Sequence, residues 1–169
     1  MATSQSTTFL TRLENKIPPP VIMIICALGV WFTAETISLT LFATDGSWHW
    51  SATLAVIIFA CGVVIDLISL KRFFAAKTTI NPLKPQQASS LVTSGIYRFT
   101  RNPMYLGLML WLVALATYLN NPLAFIWPII FVVYINRFQI TPEERFLKTL
   151  FGEPYLAYLQ NTPRWLLLN

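Results

Sequence analysis

Residues 104–135 read MYLGLMLWLVALATYLNNPLAFIWPIIFVVYI, without one acidic, lysine, arginine or histidine side chain. Asn120-Asn121 divides this stretch into an arm from Met104 to Leu119 and an arm from Pro122 to about Ile135. At the helical rise per residue each arm is roughly 20–24 Å long. Two apolar arms joined by two asparagines read as a tight helical hairpin in lipid. An open sheet is excluded there, because hydrocarbon cannot satisfy its backbone edges.

Working toward the N-terminus, two longer apolar runs appear. Val21 to Ala43 carries Glu35 as its only charge, and Trp50 to Leu70 carries Asp66 near its end. Each reaches roughly 30 Å or more, the thickness of a hydrocarbon core. Hydrophobic residues make up 55% of the chain and charged residues 11%. Soluble domains carry about 25% charged residues, so this chain lacks the polar surface for a water-facing globule. The reading is a single all-α integral membrane domain over 1–169, with four transmembrane helices and a cytoplasmic C-terminal helical layer. Residues 1–20 form an interfacial segment: Phe9, Leu10, Leu13 and Ile17 recur at helical spacing until Pro18-Pro19-Pro20 stops the turn. It is not read as a secretory signal, since no small-residue cleavage site ends the first apolar run.

The basic residues set the orientation. Arg12 and Lys16 precede the first span. Lys71, Arg72, Lys77, Lys84, Arg98 and Arg101 lie between the second and third, and Arg137, Arg145, Lys148 and Arg164 follow the fourth. These 12 residues all fall on one side, which places both termini in the cytoplasm. The net charge of +5 then reflects this bias and attraction to anionic headgroups. Nucleic acid is not an expected partner. Cys26 and Cys61 sit at different depths and read as buried free thiols. A single histidine and two separated cysteines make no usual zinc set, so no metal is expected.

Polar chemistry collects at the cytoplasmic end. Asn102-Pro103 is a good helix start, whose open amides make a local anion site, and Gly107 one turn on allows close approach. After the fourth span, Thr141-Pro142-Glu143-Glu144 matches a capping box, which explains Glu144 structurally and leaves Glu143 free to accept hydrogen bonds from hydroxyl or ammonium groups. Asp66 is either a pocket carboxylate or an interfacial acid paired with Lys71, Arg72 or a loop cation. Glu35 is expected to bond between helices. One cytoplasmic cavity is expected, lined by Tyr105, Gly107, Arg137 and Glu143 and open sideways to lipid.

The ordered set Gly95-Ile-Tyr-Arg-Phe-Thr-Arg-Asn-Pro-Met-Tyr-Leu-Gly107, a hairpin, Glu143-Glu144, then Phe151-Gly-Glu-Pro-Tyr155-Leu-Ala-Tyr158 resembles the isoprenylcysteine carboxyl methyltransferase family, as a short bacterial-type member. Phospholipid N-methyltransferases share much of the pattern, which covers 78–165. The resemblance implies S-adenosyl-L-methionine as cofactor, bound by Arg101, Asn102, Pro103, Tyr105, Gly107, Glu143 and Glu144. It also implies a lipophilic or lipid acceptor, with Arg137 positioning the reactants. Isoprenylcysteine enzymes usually carry histidine where Asn102 stands, and asparagine is like the phospholipid enzymes. The glycine-x-glycine element of the latter is absent near Gly62–Asp66. A carboxylate acceptor needs no base, whereas an amine must lose a proton, to Asp66 or a glutamate. The rival readings are an NADPH-dependent membrane reductase and a non-catalytic membrane module.

Overall fold

The computed structural model describes residues 14–41, 48–76 and 90–166. The interfacial helix expected around Phe9–Leu13, the Asp45 loop, and Lys77 and Lys84 fall outside these residues. Among the described residues six α-helices follow in order: α1 (Pro19–Thr36), α2 (Trp48–Ala75), α3 (Pro103–Tyr118), α4 (Ile126–Ile135), α5 (Thr141–Phe151) and α6 (Glu153–Asn161). Single 3-10 turns occupy Gly95–Arg98 and Pro122–Phe125, and a π-turn occupies Asn136–Ile140.

Among the described residues, three helical stretches are long and apolar enough to cross a membrane: Pro19–Thr36, Trp50–Ala75 and Pro122–Phe151. The expected third span, α3, is apolar but only 16 residues long. Lipid-type surfaces cover the outside, where Ile25, Leu28, Phe32, Val56, Leu67, Ile129 and Val133 are exposed. Helices apolar on every face belong in hydrocarbon, where burial inside the bundle is not needed to shield them from water.

The hairpin turn forms at the expected place. Asn120 takes a left-handed backbone (φ 54°), a conformation asparagine tolerates. Asn121 is 1% exposed. Its Oδ1 accepts from the Leu123 and Ala124 amides at 2.9 and 3.3 Å. Its Nδ2 donates to the Ile37 carbonyl at 2.7 Å. That contact explains why α1 ends at Thr36 and not at Ala43. Ile37 turns extended (φ −121°, ψ 104°), and the Leu41 amide donates to the Asn120 carbonyl at 2.9 Å. The hairpin turn thereby satisfies backbone groups that helix continuation would have satisfied. Glu35, expected to bond between helices, is exposed near this end and has no such bond among the described residues.

α1 runs antiparallel to α4. Trp127 Nε1 donates to Thr33 Oγ1 at 2.9 Å, and at the other end Gln139 Nε2 donates to the Ile17 carbonyl at 2.7 Å. Between them Phe131, Ile135, Leu112 and Val30 are fully buried, with Ala116 and Ala124 letting the backbones approach. α2 packs antiparallel on α3 in a single register: a Cβ on Gly62 would lie 2.6 Å from the Trp111 ring, and a Cβ on Gly107 would lie 2.0 Å from Asp66 Oδ1. The basic ends of α1, α2, α3 and α4 therefore gather at one end of the bundle. Cys26 is buried and Cys61 exposed, both as free thiols.

Pro122 to Phe151 is continuously helical, which corrects the capping box. Thr141 has helical backbone angles, and its hydroxyl donates back to the Asn136 carbonyl at 2.7 Å. Pro142 has no amide proton, so the Phe138 carbonyl loses its α-helical donor. The Asn15 amide supplies one from the N-terminal segment at 2.9 Å. The break was legible in Pro142, but its repair by a distant segment turned an expected helix boundary into a widened turn.

Replacing Asn121 by alanine removes the cap and the Ile37 bond together. We expect Asn121→Ala to lower stability by about 2 kcal/mol, read as a lower unfolding midpoint in detergent, without loss of helical circular dichroism in the folded state.

Candidate functional site

The segment before α3 is tied to the C-terminal segment by backbone and side chain together. The Arg101 amide donates to the Pro163 carbonyl at 2.9 Å. Thr100 Oγ1 and Asn102 Nδ2 both donate to the Arg164 carbonyl, at 3.0 and 3.1 Å. Asn102 thus stands at the cap position without capping through its side chain, which is turned to Arg164 instead.

Below this strap lies a buried ion cluster. Arg101 Nε and Nη2 donate to Glu144 Oε1 at 3.2 and 3.0 Å, and Arg164 Nη2 donates to Oε2 at 2.6 Å. Arg101 Nη1 completes the set on the Leu159 and Thr162 carbonyls. The side chains of Arg101 and Glu144 are 8% and 11% exposed. Glu144 is therefore the anchor of a two-arginine cluster and not the partner in a capping box.

Glu143, its neighbour, points elsewhere. Tyr105 Oη donates to Glu143 Oε2 at 3.3 Å, joining α3 to α5. Both residues line a cavity of about 480 Å3, together with Asp66, Phe73, Tyr97, Arg101, Asn102, Pro103, Met104, Leu108 and Pro18–Pro20. This volume is in the range of small-molecule sites. Tyr97 is buried, its ring edge-on to Phe73 at 5.5 Å between centroids, and its carbonyl accepts from Tyr158 Oη at 2.7 Å. Burial pushes the Tyr97, Tyr155 and Tyr158 hydroxyls up from their ordinary range, and of the three Tyr97 lines the cavity.

A model of the phospholipid methyltransferase family matches residues 50–154, which takes in every cavity residue except the N-terminal prolines. The chain belongs to that family. The Arabidopsis thaliana protein-S-isoprenylcysteine O-methyltransferase B is 28% identical over 117 residues, 68% of this chain and 58% of that protein. The Xenopus laevis protein-S-isoprenylcysteine O-methyltransferase is 29% identical over 144 residues, 82% of this chain and 48% of that protein. The chain thus spans about half the length of these methyltransferases. An uncharacterized Haemophilus influenzae protein is 48% identical over 63 residues, its whole length and 37% of this chain.

Of the residues expected at the site of this phospholipid methyltransferase family member, the structure brings Asp66, Arg101, Asn102, Pro103, Tyr105 and Glu143 to one cavity wall. Gly107 is not on that wall. Its missing side chain is the space that Asp66 occupies. Asp66 has no pairing with Lys71 or Arg72 among the described residues, and its Oδ1 is buried with no hydrogen-bond partner. Arg137 is also absent from the wall. Its Nη1 pairs with Glu14 Oε1 at 2.7 Å, and its guanidinium lies 5.4 Å from the Phe138 ring centre. Arg145 pairs with the second oxygen of Glu14. Sequence reasoning missed Pro18–Pro20 as a cavity wall. Reading them only as a helix stop hid that the segment from Glu14 to Ile17, anchored on Arg137, Arg145, Phe138 and Gln139, carries them there.

Removing the carboxylate of Glu144 leaves two guanidinium groups without their shared partner. Glu144→Ala should cost about 3–5 kcal/mol, the scale for breaking a buried pair. A chemical-denaturation series in detergent on wild type and variant measures it.

Proposed function

We propose that this protein is an S-adenosyl-L-methionine-dependent membrane methyltransferase acting on a lipophilic acceptor, with its cavity and both termini on the cytoplasmic side. The observation that carries the reading is the Tyr105–Glu143 pair inside a cavity at the basic end of the bundle. The cavity offers what such a cofactor needs: a carboxylate for hydroxyl or ammonium donors, a tyrosine edge, and the start of α3 with its open amides. Bound there, the cofactor would supply a methyl group already activated by a sulfonium. Transfer then asks the protein for alignment and exclusion of water more than for acid–base groups.

The chain's own residues divide that work. Glu143 and Tyr105 hold the polar end of the cofactor, with Asn102 and Pro103 beside them. Arg101, Glu144 and Arg164 keep the α3 start and the C-terminal strap together, so the cavity wall keeps its shape. Arg137 acts through Glu14 to hold the segment that carries the proline wall. A second, apolar hollow of about 340 Å3 lies on the same seam of α1, α2 and α3, lined by Met23, Ala27, Phe59, Trp111, Leu115 and Tyr118 among others. It suits the hydrocarbon part of an acceptor arriving from the bilayer.

Calorimetry on the full chain in lipid nanodiscs tests the reading. S-adenosylmethionine and its demethylated product should bind, and NADPH should not compete. Glu143→Ala should weaken binding by about 1–3 kcal/mol, the loss of hydrogen bonds to a charged group. No cofactor binding in a folded sample overturns the proposal, and competition by NADPH selects the reductase reading. An unchanged affinity in Glu143→Ala removes the assigned role of that carboxylate.

A further inference from the structure

Glu144 and Glu14 each bridge two arginines, and the two bridges differ in how much of the arginines they use. Arg101 donates through Nε, Nη1 and Nη2, and Arg164 through Nε and Nη2. Their side chains are 8% and 23% exposed. Arg137 and Arg145 each make a single hydrogen bond among the described residues, Nη1 to Glu14 Oε1 and Nη2 to Glu14 Oε2. These side chains are 41% and 57% exposed. Two guanidinium groups against one carboxylate leave a net positive charge, and both keep N–H donors that no described residue takes up. An open guanidinium fork matches a phosphate, which it can hold through paired bonds.

The position of the pair relates it to the bilayer. No charged side chain occurs from Pro122 to Asn136, so Arg137 is the first charge on the helical stretch Pro122–Phe151. Ile126, Ile129, Ile130 and Val133 are exposed on α4. Their spacing makes them one lipid-facing stripe. Arg137 follows Val133 by one helical turn and stands at the end of that stripe. At the same level the Tyr134 and Phe138 rings pack with centroids 4.7 Å apart, and the Arg137 guanidinium lies against Phe138. Aromatic rings favour the boundary between hydrocarbon and headgroups. Acyl chains lying along Ile129 and Val133 would thus bring their headgroup phosphate to Arg137 and Arg145.

We infer that Arg137 and Arg145 form a binding site for the phosphate of an anionic phospholipid whose acyl chains lie on the 126–133 face of α4. The phosphate joins the two guanidinium groups beside Glu14 and leaves it in place, because Glu14 uses one donor of each. The negative headgroup completes the neutralisation of the pair. The same pair anchors Glu14, and with it the segment that brings Pro18–Pro20 to the cavity wall. Lipid binding therefore tightens the docking of that segment. The site is separate from the cavity and is independent of the reaction proposed there.

The full chain in a neutral detergent is the sample, and no arm of the test uses a methyl donor. In native mass spectrometry against an equal mixture of phosphatidylglycerol and phosphatidylcholine, phosphatidylglycerol should be retained about tenfold or more over its partner. Arg137→Gln and Arg145→Gln should each lower that preference about fivefold, the scale of one arginine at a charged membrane surface. Arg98→Gln removes another exposed cation, on the 3-10 turn before α3, and should leave the preference unchanged. Arg137→Lys and Arg145→Lys keep the charge and lose the fork, so each should lower it about threefold. These lysine variants decide the matter if a glutamine variant does not fold. Phosphatidylglycerol should also raise the thermal unfolding midpoint of the wild type, and inorganic phosphate at the same concentration should not. Equal retention of the two lipids overturns the inference. So does a loss in Arg98→Gln as large as in the clamp variants, which would show diffuse surface charge, or lysine variants that match the wild type. An equal rise with inorganic phosphate overturns the lipid and assigns the pair to free phosphate.

Discussion

The carboxylate of Glu144 holds two guanidinium groups, and most of the basic end of the molecule is arranged around that fact. Arg101 precedes α3, Arg164 follows α6, and Glu144 sits on α5, so one side chain joins three segments. Buried charge of this kind is tolerable only when every donor and acceptor is used. Here Arg101 spends its remaining donors on carbonyls of α6 and of the residue after it. The Arg164 carbonyl is used again by Thr100 and Asn102. Fixing the α3 start in this way puts Tyr105 against Glu143 and gives the cavity its wall.

Adjacent glutamates therefore do different jobs because successive residues on a helix point in different directions. Glu144 faces the strap and is consumed by structure. Glu143 faces the cavity and keeps accepting capacity. The same separation holds between arginines. Arg101 and Arg164 are drawn inward by one acid, whereas Arg137 and Arg145 are drawn by Glu14 to the N-terminal segment. The π-turn at Asn136–Ile140 makes that second arrangement possible, because Pro142 frees the Phe138 carbonyl for Asn15.

The membrane part works by different physics. Hydrocarbon gives no hydrophobic reward for pressing helices together, so close fit has to do it. Gly62 receives Trp111 and Gly107 receives Asp66, which locks the register of α2 on α3 and places a carboxylate at the basic end of the bundle. At the opposite end Asn121 plays the corresponding part for α1, α3 and α4, satisfying backbone groups that lipid would leave bare.

Composition and run length alone decided that this chain is a helical membrane protein with its basic residues at one end, because those features follow from the cost of bare polar groups in lipid. The hairpin at Asn120-Asn121 and the α3 start at Pro103 were equally legible, since turn chemistry and a proline at the first helical position act over a few residues, although the Asn102 side chain turned to Arg164 instead of capping. Partner choice was not. Glu144 meets Arg101 and Arg164 across 43 and 20 residues of chain, and Arg145 meets Glu14 across 131. No local pattern carries that information, and the capping box that did fit locally at Thr141 lost to contacts from distant segments. Only the tertiary structure decided that Gly107 makes room for Asp66 and that Arg137 serves the N-terminal segment, because both depend on which helix faces which across the bundle.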